Sequence, residues 1–138
     1  MKVLFVCVEN SCRSQMAEAW FNALAMKAAM KAAASSAGTK PADDIDPLAV
    51  KVMEEVGISM KNQKPKALTP EMVKEFDLIV TMGCIDSCPY SPGKTIEWNI
   101  EDPKGKGIEK YREVRDTIKR EVENLIRGLL LKCSKKEQ

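Results

Sequence analysis

Val3-Leu4-Phe5-Val6-Cys7-Val8-Glu9-Asn10-Ser11-Cys12-Arg13-Ser14-Gln15-Met16-Ala17-Glu18 decides the fold of this chain: a short apolar strand runs straight into Cys-x5-Arg-Ser and then into a helix. Five residues between Cys7 and Arg13 are enough to curl the backbone into a ring whose N–H groups point inward. The helix that begins near Ser14 adds the partial positive charge of its N-terminus. A tetrahedral dianion fits such a ring, held by the backbone of Val8, Glu9, Asn10, Ser11, Cys12 and Arg13. The Arg13 guanidinium closes it with a planar fork that takes two oxygens at once, which a lysine ammonium does not reproduce. The same positive field acts on sulfur and is expected to keep Cys7 as a thiolate at neutral pH, with Ser14 donating a hydrogen bond to it. A strand-end cysteine is otherwise a small buried hydrophobe. Strand, Arg13, Ser14 and helix together favour the nucleophile.

Outward from this stretch, the chain reads as one domain over residues 1–138, long enough for a single core. A net charge of +2, with 22 basic and 20 acidic residues interspersed, gives no reason to expect nucleic acid or a membrane as partner. No apolar run approaches a membrane span and the N-terminus lacks the zones of a signal peptide, so a cytoplasmic location is expected. A monomer is the working expectation, on which these features do not bear. Five cysteines form no small disulfide framework. In a reducing compartment they are catalytic, redox-active or metal-binding, and with no histidine present zinc is a poor fit.

The elements alternate. Lys2 to Val8 reads as a buried strand and Gln15 to about Ala34 as an Ala- and Met-rich helix. Ser35 to Thr39 follows as a short strand. Asp46-Pro47 is an N-cap with proline at the first helical position, and that helix stops at Gly57. Thr69-Pro70-Glu71 repeats the start signal. Asp77 to Thr81 and Thr95 to Trp98 are strands, and Ile108 to about Lys132 is an amphipathic helix with Val114, Ile118, Val122, Leu125 and Leu129 on one side. The pattern is that of an α/β fold in three layers, a four-stranded, mostly parallel sheet with helices on both faces. Ligands of such sheets bind at the carboxyl ends of the strands, where Cys7, Gly83-Cys84 and Asp102 gather.

Cys7-x5-Arg13-Ser14, with Asn10 inside it, resembles the phosphate loop of the low-molecular-weight protein tyrosine phosphatase superfamily, and within it the arsenate reductases coupled to thioredoxin. The likeness extends through Ser35-Ser36-Ala37-Gly38-Thr39, Asp77-Leu78-Ile79-Val80-Thr81-Met82 and Trp98-Asn99-Ile100-Glu101-Asp102-Pro103. It departs from the phosphatases at Glu9, where they usually have glycine. It departs again at Lys104, where they carry an aromatic residue against phosphotyrosine. The resemblance implies arsenate as substrate, with phosphate or sulfate as mimics, Asp102 as general acid and no cofactor. It also implies that Asn10, Glu18 and Ser36 surround a monovalent cation in some reductases; here Lys66 falls nearby, and its ammonium is an alternative source of that charge.

Cys84 and Cys88 separate a reductase from a phosphatase. After Cys7 attacks arsenic, reduction needs a second thiolate to attack the Cys7 sulfur, the role read for Cys84. Cys88 would then attack Cys84, leaving a disulfide for thioredoxin, a glutaredoxin-like protein or a small thiol. The Cys-x3-Cys spacing requires this segment to be a loop or to loosen before that bond closes. Cys12 is an alternative partner for Cys7, and Cys133 is read as having no role. Two other functions stay open: a low-molecular-weight phosphatase working through a Cys7 phosphoenzyme, and a non-enzymatic thiol sensor or metalloid binder, which would need neither Arg13 nor Asp102.

Overall fold

The computed structural model describes residues 1–83 and 94–136, with side chains through 132. Cys84 and Cys88, and the side chain of Cys133, lie outside the described residues. The described elements run β1 (Lys2–Cys7), α1 (Arg13–Lys27), β2 (Ala33–Gly38), α2 (Pro47–Glu54), α3 (Pro70–Glu75), β3 (Leu78–Met82), β4 (Thr95–Trp98) and α4 (Ile108–Lys136). The four strands lie in the order β2-β1-β3-β4, and all three pairings are parallel. The expected "mostly parallel" sheet is therefore wholly parallel among the described strands.

This strand order places the site. The chain leaves β1 on one side to form β2 and returns on the other to form β3, so a crevice opens where the order reverses, at the carboxyl ends of β1 and β3. Cys7 ends β1 and Gly83 follows β3.

Alternation along the strands divides the core. Val3 and Phe5 of β1 face α1, α2 and α4, packing with Met16, Phe21, Val52, Met53, Ile118 and Val122. Phe5 also meets the rings of Phe21 and Trp98 at centroid distances of 6.1 and 5.5 Å. Leu4 and Val6 face the other way, with Ile79, Phe76 and residues of α3. Helices thus cover both faces, and burying each of these large side chains contributes roughly 1.5–3 kcal/mol. Along α4 the buried positions include Tyr111, Val114, Ile118, Val122, Ile126 and Leu129; Leu125, expected on the apolar stripe, is only partly buried.

One boundary differs from expectation. The helix read from Gln15 to Ala34 stops at Lys27, and Ala33-Ala34 open β2. The Ala29 N–H bonds to the Met26 carbonyl and the Met30 N–H to the Ala25 carbonyl, with Ala29 at φ +54°. This is a Schellman stop with alanine in the left-handed position that glycine usually fills.

Candidate active site

The segment after β1 forms a ring because every carbonyl from Cys7 to Cys12 is bonded from outside it. Thr39, Lys40 and Ala42 donate backbone N–H groups to Cys7, Val8 and Glu9 at 3.3, 2.8 and 2.9 Å. Gln15 Nε2 donates to the Asn10 carbonyl at 2.9 Å, while the Asp46 and Met16 N–H groups serve Ser11 and Cys12, each at 2.9 Å. The described peptides are all trans, so each following N–H points opposite to its carbonyl and away from those partners. Donors from Val8 to Arg13 are therefore turned to the side of the hollow above Cys7, beside the N-terminus of α1.

Close packing holds the ring against β2. Gly38 pairs with Cys7 in register, and a Cβ on it would stand 2.6 Å from the Val8 carbonyl oxygen and 2.9 Å from Asn10 Cβ. Only a residue without Cβ fits there.

Behind the ring, Asn10 sits at φ +52° and is fully buried with Ser14 and Gln15. Asn10 Nδ2 donates to Ser14 Oγ at 2.7 Å, which commits the Ser14 proton to Cys7 Sγ at 2.8 Å. Asn10 Oδ1 accepts from Gln15 Nε2 at 3.1 Å and from the Lys66 N–H at 3.0 Å. Gln63 Nε2 in turn donates to Gln15 Oε1 at 2.9 Å. A one-directional chain of donors thus ends on the Cys7 sulfur. Its extension through Gln15 and Gln63 escaped the sequence reading, because nothing local marks an amide pair 48 positions apart.

Beside it, Ser36 Oγ donates to Glu18 Oε1 at 2.8 Å, and Lys66 Nζ stands 4.0 Å from the same oxygen. Burial holds the Glu18 carboxyl above its ordinary value, opposed by Ser36 and Lys66. Asn10 Oδ1 is already engaged by two N–H groups and the positive charge beside Glu18 belongs to Lys66. These residues do not fit the implied cation while Lys66 stands there.

Cys7, Val8, Glu9, Ser11, Cys12, Arg13, Asp46, Gly83, Asp102 and Lys104 line one hollow of about 260 Å³. Asn10 and Ser14 are not part of its wall. Arg13 NH1 donates to the Ile100 carbonyl at 3.1 Å and NH2 stands 3.7 Å from Asp102 Oδ2, so the loop after β4 sets the guanidinium. Gly83, at φ +72°, allows this approach, since a Cβ there would lie 2.5 Å from NH1. Asp46 is an addition to the residues singled out from sequence. It caps α2 as expected, accepting from the Leu48 N–H at 3.0 Å, but its other oxygen accepts from Tyr111 and its backbone holds Ser11. Burial, reinforced by Asp46, Asp102 and Cys7, pushes the Cys12 thiol far above its ordinary range. Cys12 therefore stays protonated, a poor attacking group.

The family model described as low molecular weight phosphotyrosine protein phosphatase matches residues 2–137. A "glutaredoxin arsenate reductase" of Synechocystis sp. is 38% identical over 129 residues, covering 91% of this chain and 95% of its own. The structure of a low molecular weight protein tyrosine phosphatase from T. tengcongensis superposes with a TM-score of 0.83 at 30% identity, covering 93% of this chain and 99% of that one. A thioredoxin-dependent arsenate reductase of Corynebacterium glutamicum gives 0.79 at 33%, covering 95% of this chain and 62% of that one. With the family model matched over nearly the whole chain, and with these relatives alike in sequence and fold, the chain belongs to the low molecular weight phosphotyrosine protein phosphatase family.

Proposed function

We propose that the protein reduces arsenate to arsenite. The Cys7 thiolate attacks arsenic, and the departing oxygen leaves as water after accepting a proton from Asp102. General acid assistance of this kind contributes ~10²–10⁴-fold. Arg13 and the ring N–H groups hold the remaining oxygens. Cys84 then attacks the Cys7 sulfur: a Cys7–Cys84 disulfide forms, the sulfur–arsenic bond breaks, and its electron pair stays on arsenic, which departs as arsenite. Cys88 attacks Cys84 and expels the Cys7 thiolate, leaving a Cys84–Cys88 disulfide. Thioredoxin or a glutaredoxin-like protein supplies the two electrons that reopen it; relatives named for each reductant support either source.

The observation that carries this reading is the ring itself, whose six carbonyls are all engaged outside while Cys7 Sγ lies beneath with the Ser14 hydroxyl turned to it. Reduction is favoured over hydrolysis by Cys84 and Cys88 and by Lys104 in place of an aromatic wall. Arsenate turnover with a thioredoxin or glutaredoxin system, run beside p-nitrophenyl phosphate hydrolysis, tests it. Cys84→Ser should stop reduction and spare the weak hydrolysis. Equal loss of both in a folded variant would remove Cys84 from the relay. Ester hydrolysis without arsenate turnover in the wild type would make the protein a phosphatase.

A further inference from the structure

Two loops 95 positions apart meet across the mouth of the hollow. Glu9 stands on the ring, and Lys104 follows Asp102 and Pro103 on the loop after β4. Lys104 Nζ donates to both Glu9 carboxylate oxygens, at 3.1 and 3.3 Å, while its backbone N–H donates to Asp102 Oδ1 at 3.1 Å. One residue thus ties the rim of the ring to the carboxylate above it. The Glu9 and Lys104 side chains are 45% and 64% exposed, whereas Arg13, on the inner side, is 11% exposed. Both residues line the hollow, and their exposure sets the pair at its outer edge, away from the floor where Arg13 lies.

An oxyanion seated on the ring N–H groups directs its fourth substituent outward, past Asp102. In arsenate or phosphate that substituent is one oxygen. In an ester it carries a chain or ring that must pass between Glu9 and Lys104. We infer that the Glu9–Lys104 pair is a specificity determinant, a latch that admits inorganic tetrahedral oxyanions and disfavours their esters; this rests on the reading that the Cys7 ring binds oxyanions. An ion pair this exposed is weak, so opening it costs an ester about two- to fivefold in affinity and an inorganic ion nothing.

Protection of Cys7 against iodoacetamide, by phosphate, arsenate or phenyl phosphate, measures binding without requiring turnover. The affinity of phenyl phosphate relative to phosphate should rise about two- to fivefold in Glu9→Ala and in Lys104→Ala. It should return to the wild-type value in the reversed pair, Glu9→Lys with Lys104→Glu. In the wild type it should also rise in about 1 M KCl, where screening reaches contact distance, while salt leaves the ratio in the single variants unmoved. A ratio that is the same in all four proteins, or a reversed pair that behaves as the sum of its parts, overturns the latch. Absence of protection by phosphate in the wild type overturns the oxyanion ring and the latch with it. Normal protection without arsenate turnover overturns the reductase reading alone, and the ratio still decides the latch.

Discussion

The ring from Cys7 to Arg13 has two sides of opposite construction. Behind it lie uncharged side chains, Asn10, Ser14 and Gln15, all fully buried and hydrogen-bonded to one another or to the ring. In front stand charges in water, Glu9 with Lys104 and the half-exposed Asp102 near Arg13. A buried partner left unsatisfied costs about 1–3 kcal/mol, whereas an exposed ion pair is worth roughly 0–1 kcal/mol. The sulfur is therefore positioned from behind, and the front is left to choose what enters.

The largest effect is expected where the two sides meet. Cys7→Ser should bring both arsenate reduction and phosphate-ester hydrolysis below detection, because an alcohol, a far weaker nucleophile, replaces the sulfur that attacks in the proposed reaction. Retention of either activity would place the nucleophile elsewhere. Arg13→Lys keeps the charge but not the fork that reaches both the Ile100 carbonyl and the oxyanion. It should lower kcat/KM by about 10²–10³-fold, the scale of losing one preorganised donor.

Next comes a contrast in stability. Asn10→Ala removes the donor to Ser14 and the acceptor of the Lys66 N–H, and it leaves a Cβ-bearing residue without a helpful side chain at φ +52°. It should cost about 2 kcal/mol or more in denaturant unfolding. Glu9→Ala, one position away on the exposed side, should stay within about 0.5 kcal/mol. Equal losses would erase the distinction between the two sides.

How far this was legible in the sequence follows the same division. Cys7, Arg13 and Ser14 announce themselves because a strand end, a fixed spacing and a helix start are local features. The buried side is non-local: Gln63 reaches Gln15, and Lys66 reaches Glu18 and Asn10, only after the chain has passed through β2 and α2. The two departures from the family pattern, Glu9 and Lys104, were legible separately, but their being partners was not. Helix ends teach a parallel lesson. Gly57 at φ +78° stops α2 with the same pair of bonds, Gly57 N–H to the Glu54 carbonyl and Ile58 N–H to the Met53 carbonyl, and glycine advertises it. Ala29 does the same work within an alanine-rich run whose propensity says only helix.

The smallest expected effect lies at Glu18, a buried carboxylate beside the uncharged group behind the ring. Its partners are the Ser36 hydroxyl and a Lys66 ammonium that is 42% exposed, and burial outweighs both, raising the carboxyl above its ordinary value of 4.5. Between 4.5 and that raised value, the native protein holds a proton that the unfolded chain has released. Unfolding then releases protons, so the Glu18 contribution to stability is fully present below 4.5, declines as pH rises through the window, and is flat above it. Glu18→Gln keeps an oxygen for Ser36 but cannot ionise. Its melting temperature should therefore gain on the wild type as pH climbs through the window and hold a constant offset beyond it, less the small cost of leaving the exposed Lys66 ammonium without its carboxylate partner. Thermal melts on both sides of the window measure this directly. Parallel curves for the two proteins would mean that Lys66 and Ser36 balance burial fully, and the buried side would then carry its charge at no cost.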